Sequence, residues 1–140
     1  MSDFYKYFKE NMDGLGLPSP DSLFSSAQTA VGTVSVLMSA IEKFGRAVTI
    51  REVIGAGTGL EGLAVTGACS AAYYAGAVVG SIAVATGRTM NNGTSLADVM
   101  FIAKQNDWYV PWLRDTLHRA PHLYNGSTRN VMVRAAHGKR

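Results

Sequence analysis

At 140 residues the chain has the length of one domain with a real core, yet only 16% of it is charged, against about 25% in an average soluble domain. A single cysteine, Cys69, excludes an internal disulfide and a thiolate metal cluster. The net charge of +3 is uneven: residues 1–21 hold two lysines against four acids, while residues 88–140 hold eight basic and three acidic groups. That basic end is open to anionic lipid, nucleic acid, an acidic protein or plain water.

Residues 3–12 are predicted to form a short amphipathic helix, because Phe4, Phe8 and Met12 recur every fourth position with Lys6, Lys9 and Glu10 off that stripe. The same charges interrupt any apolar leader, so no cleavable signal peptide is expected. Residues 13–20 carry two glycines and two prolines and read as a linker. Asp21 or Ser22 is expected to cap the next helix.

Residues 22–41 contain no Asp, Glu, Lys or Arg. Val31, Val34, Leu37, Met38 and Ile41 define an apolar helical face, diluted elsewhere by Ser25, Ser26, Gln28, Thr29, Ser35 and Ser39. A helix of that length reaches ~30 Å, the thickness of a bilayer's hydrocarbon core. It suits a membrane segment and the buried helix of a bundle equally well.

Residues 47–54 are rich in β-branched side chains and read as a strand, followed by Gly57-Thr58-Gly59-Leu60-Glu61-Gly62. Strand, GxGxxG and helix in that order is the arrangement of a dinucleotide site. The acid needed about 20 residues further on is missing, since residues 62–87 contain none, and Glu61 would lie near the phosphates. The glycines serve more simply as a flexible lead-in to the next helix.

Residues 62–87 form the longest uncharged stretch, and Ala64, Ala68, Ala72, Gly76 and Gly80 recur within it at every fourth position. On one helix they would line a continuous groove of minimal side chains. Gly76 and Gly80 make a GxxxG spacing that favours close helix association in lipid, although soluble helices also use it. Tyr73 and Tyr74 fall mid-stretch and need hydroxyl partners or a water-filled lumen. Cys69, among small neighbours, reads as a packing residue.

Residues 91–94 are a predicted turn, and Ser95 with Asp98 a helix start. Leu96, Val99, Met100 and Ala103 then share a face. Trp108, Tyr109 and Trp112 follow as a cluster with three readings: membrane interface, partner contact or core. Pro111 is placed to open a helix carrying Leu113 and Leu117, and Pro121 to end it. His118 and His122 have a metal-binding spacing, but Pro121 between them breaks the shared face. Residues 124–127 read as a turn, 131–133 as a short strand and 134–140 as a frayed end. No catalytic residue, cofactor site or metal site emerges.

The expected fold is mainly α: one domain over residues 1–140, a small bundle built on a Gly/Ala-rich helical hairpin at 22–88, with an amphipathic segment and linker at 1–21 and amphipathic helices and basic tail at 89–140. Carried by Ala68, Ala72, Gly76 and Gly80, this organisation resembles the small pore-forming, glycine-zipper effectors of the bacterial type VI secretion system. The resemblance implies an antibacterial toxin, cytoplasmic in the producer and secreted to act at a target membrane. It further implies a lipid bilayer and self-association as partners, with a secretion chaperone or tube protein and an immunity protein, and no nucleic acid. The rival reading is a soluble helical adaptor or immunity-type protein whose small residues are core.

Overall fold

The computed structural model describes residues 3–87, 95–108 and 110–124. The Phe4/Phe8/Met12 stripe makes the first helix, α1 (Asp3–Gly14), and Phe8 and Met12 are fully buried. The turn after it places Gly16 at φ +74°, a conformation glycine adopts without a Cβ clash.

The uncharged segment 22–41 is not one helix. A single turn, α2 (Asp21–Phe24), precedes α3 (Ala27–Phe44), and the expected cap at Asp21 or Ser22 is corrected to Ser26. Its hydroxyl accepts from the Thr29 amide at 3.2 Å while the Thr29 hydroxyl accepts from the Ser26 amide at 3.0 Å. Serine and threonine hydroxyls that bind nearby backbone break a helix into separately capped pieces.

The predicted strand at 47–54 is also corrected, because Ile50–Gly55 is helix α4. Thr49 and Glu52 form a reciprocal cap, with the Glu52 carboxylate accepting from the Thr49 amide at 2.9 Å. That cap outweighs the β-branched composition. The extended pairing at this point is a single bridge, in which the Ile50 amide donates to Cys69 O and the Ala71 amide to Val48 O, both at 2.9 Å. It ties the exit of α3 to the start of α5 (Ala71–Gly87), so the two helices form the expected hairpin, with α4 and the 3-10 helix η1 (Glu61–Thr66) in its connection.

Ser95 caps α6 (Leu96–Gln105) in a box with Asp98, and Pro111 opens α7 (Pro111–Arg119). Ala120, outside the helical region at φ −128° and ψ 65°, ends α7, and Pro121 starts the 3-10 helix η2 (Pro121–Leu123). Around α5 lie α1, α3, α6, α7 and η2. The result is a mainly helical bundle in which amphipathic helices surround a helix that is apolar on every side, as a fully buried helix must be.

Candidate functional site: the enclosed helix and its cover

The five small residues of the expected groove do not share one helix, which corrects that part of the sequence reading. Residues 61–66 are 3-10, the chain turns at 67–70, and α5 begins only at Ala71. Ala64 and Ala68 are exposed, off the helix, whereas Ala72, Gly76 and Gly80 are buried on it. The break is set by docking. Gly67 O accepts from the Arg51 amide at 3.0 Å, and a Cβ at Gly67 would stand 3.2 Å from Arg51 Nε.

The groove that remains is already filled from within the chain. A Cβ on Gly76 would lie 3.0 Å from Thr116 Cγ2 and 3.3 Å from Leu123 Cδ1. One on Gly80 would lie 2.9 Å from the Leu123 carbonyl oxygen and 3.1 Å from Tyr124 Cβ. Glycine at these two positions lets α7 and η2 settle directly on the α5 backbone.

Polar contacts hold the cover in place. Asn11, buried on α1, donates from Nδ2 to Ser81 Oγ at 2.8 Å and to Leu123 O at 2.9 Å. One side chain thus joins α1, α5 and η2, and such a buried network is stable only while every member is satisfied. Tyr74 donates to Pro18 O at 2.6 Å, and burial raises its hydroxyl pKa well above the ordinary tyrosine value. Tyr73 shares a hydrogen bond of 2.9 Å with His122 Nε2. Both tyrosines therefore find protein partners rather than a lumen.

The aromatic cluster is divided. Trp108 is core, 3% exposed, with its indole N–H 3.4 Å from Ser35 Oγ. Trp112 is half-buried at the wall of a surface groove, and Tyr109 lies outside the described residues. The turn at 91–94, residues 125–127 of the turn read at 124–127, the strand at 131–133 and the tail lie outside them as well. Gly57 and Gly59 have φ of +78° and +82°, and the GxGxxG segment leads into the 3-10 helix η1, not into an α-helix N-terminus that could hold a phosphate. His118 is exposed on α7 and His122 sits in η2, with the non-helical Ala120 between them. Cys69 is half-buried, its Sγ 3.4 Å from Ser70 O, and burial raises its thiol pKa, as befits a packing residue.

Sequence reasoning missed Asn11, Thr116, Leu123 and Tyr124. Two of them left a signal. Asn11 falls on the apolar stripe of α1, three positions from Phe8, and Thr116 falls between Leu113 and Leu117 on the buried face of α7. A polar or small residue on an apolar face marks a buried contact with a definite partner.

No protein-family model, curated relative or solved structure matches the chain.

Proposed function

We propose that the chain is a membrane-permeabilising, pore-forming antibacterial toxin in which α5 is the membrane-active element and the amphipathic helices are its cover in water. The observation that carries this reading is α5 itself: thirteen of its seventeen residues are buried and it is apolar all round. It sits in a chain that is only 16% charged. A helix hidden in this way loses little when lipid replaces its neighbours, whereas α7 has a polar outer face suited to the bilayer surface.

No helix among the described residues is long and apolar enough to cross a membrane. Insertion in this proposal therefore requires α5 to lengthen backwards through 62–70, the uncharged stretch now held as 3-10 helix and turn. A helix over residues 62–87 would be ~39 Å long, enough to span a core of ~30 Å. Ala64 and Ala68 would then join Ala72, Gly76 and Gly80, and self-association would use the face vacated by Thr116, Leu123 and Tyr124. A secretion chaperone or tube protein would keep the cover closed in the producer, and an immunity protein would protect kin cells.

The test is dye and ion release from vesicles containing phosphatidylglycerol. Release in proportion to protein supports the reading. Its absence at every protein-to-lipid ratio, from protein shown to be folded, contradicts it.

A second reading, a helical interaction module of adaptor or immunity type, is favoured by the filled glycine face and by Phe101, 62% exposed on α6. Such a protein stays monodisperse without detergent and ignores anionic vesicles.

A further inference from the structure

Where the connection after α3 meets α7, a groove of about 670 Å³ opens between Arg46 on one side and Trp112, Arg114 and His118 on the other, over Val110 and Pro111. Its size falls in the range of small-molecule sites. Asp115 holds Arg46 in place at 3.0 Å and also meets Arg119 at 3.3 Å, so two guanidiniums share one carboxylate. Arg114 is exposed on the same helix and has no ion pair among the described residues. The groove therefore combines surplus positive charge with an apolar lining from Val110, Pro111 and Trp112. Phe44, two residues before Arg46, is 47% exposed, and the Lys43 ammonium lies 5.3 Å from its ring centre.

Guanidinium groups bind phosphate by paired N–H donors, a histidine adds a further donor, and an indole edge suits the boundary between headgroup and hydrocarbon. We propose that this groove seats the phosphate of a phosphate ester carried on an apolar body, with an anionic phospholipid as the natural occupant. The inference builds on the membrane reading by naming the lipid chemistry it recognises. It also gives α7 two tasks, covering Gly76 through Thr116 and presenting the phosphate seat through Arg114 and His118. Lipid captured here would act on the helix that shields α5.

The experiment is co-sedimentation of the full chain with vesicles of phosphatidylcholine, with and without phosphatidylglycerol. Three variants accompany wild type: Arg114→Gln, Arg46→Gln/Arg114→Gln and Lys6→Gln/Lys9→Gln. The last removes the same formal charge from α1. Wild type should bind the phosphatidylglycerol vesicles preferentially, the groove double variant about tenfold or more weakly, and the α1 variant within about twofold of wild type. Arg114→Gln, which breaks no ion pair among the described residues, should lose affinity without loss of thermal stability.

A separate arm titrates glycerol phosphate in solution. Binding there that is lost in Arg46→Gln/Arg114→Gln upholds the seat and assigns it to soluble esters. Equal losses in the groove and α1 variants, or no preference for phosphatidylglycerol together with no groove-dependent binding of glycerol phosphate, overturn the proposal. Dye release is read independently: vesicle binding without release defeats the pore reading and leaves the seat standing, and release indifferent to phosphatidylglycerol does the reverse.

Discussion

Replacing the helical glycines one at a time by alanine reads out directly what lies on the face of α5. Gly32, Gly76 and Gly80 all lie inside helices, so each gains about 0.5–1 kcal/mol from the lower entropy of the unfolded chain and better helix propensity. They differ in what a methyl meets. At Gly32 nothing lies within 4 Å, so Gly32→Ala should stabilise by that amount. At Gly76 the closest atom is a side-chain methyl of Thr116 at 3.0 Å, which can shift slightly, so gain and cost should nearly cancel. At Gly80 the closest atom is the backbone oxygen of Leu123 at 2.9 Å, and that oxygen also accepts from Asn11. Overpacking of this kind costs about 1–3 kcal/mol, so Gly80→Ala should destabilise by about 1–2 kcal/mol net. Urea unfolding gives the three values, and melting temperatures should follow at about 4 °C per kcal/mol. If Gly80→Ala stabilised as much as Gly32→Ala, residues 121–124 would not cover this face. The account of an occupied groove would then be wrong.

Other outcomes follow from single contacts. Asn11→Leu should cost about 2–3 kcal/mol in urea unfolding, because it strips donors from two buried acceptors, and it should raise proteolytic cleavage near Leu123. Tyr74→Phe should cost about 1 kcal/mol. It should also flatten the alkaline limb of stability: the buried hydroxyl resists ionisation, so its contribution is whole below the ordinary pKa of 10.0 and declines as pH rises beyond it. Asp115 has a pKa below its usual 3.8, chiefly through the Arg46 hydrogen bond, with the charges of Arg119, Arg46 and His118 adding to it. Its contribution is therefore present above that value and lost as pH falls through the depressed one. A carboxyl NMR titration should show the Asp115 pKa rising in Arg46→Gln.

Helices with a periodic apolar stripe were legible in the sequence. Phe4, Phe8 and Met12 define α1, Val99 and Ala103 define α6, and Leu113 and Leu117 define α7. In each, burial of one face decides both helix and orientation. Residues 62–87 were not legible in this way, because a stretch of small uncharged residues has no polar face to mark where the helix starts. Docking of Gly67 on Arg51 decides it, a contact between elements far apart in the pattern. The strand expectation at 47–54 weighed Val48, Ile50, Val53 and Ile54 and passed over the Thr49–Glu52 capping pair, which was visible in the sequence. The spacing of Gly76 and Gly80 announced a close approach, but it carried no information about the occupant. Thr116, Leu123 and Tyr124 come from residues about 40 positions later.

In the proposed toxin α5 acts only when α7 leaves it, and a removable cross-link puts that release under control. A Cβ on Gly76 would stand 3.9 Å from Thr116 Cβ, close to the mean separation in a disulfide. Replacing Thr116 by cysteine also removes the methyl that crowds position 76. In a Cys69→Ser background, Gly76→Cys/Thr116→Cys should be silent in dye release from phosphatidylglycerol vesicles when oxidised and, on reduction, should recover the release shown by Gly76→Cys alone. Equal release in the two states would show that α5 need not be uncovered and would contradict the account.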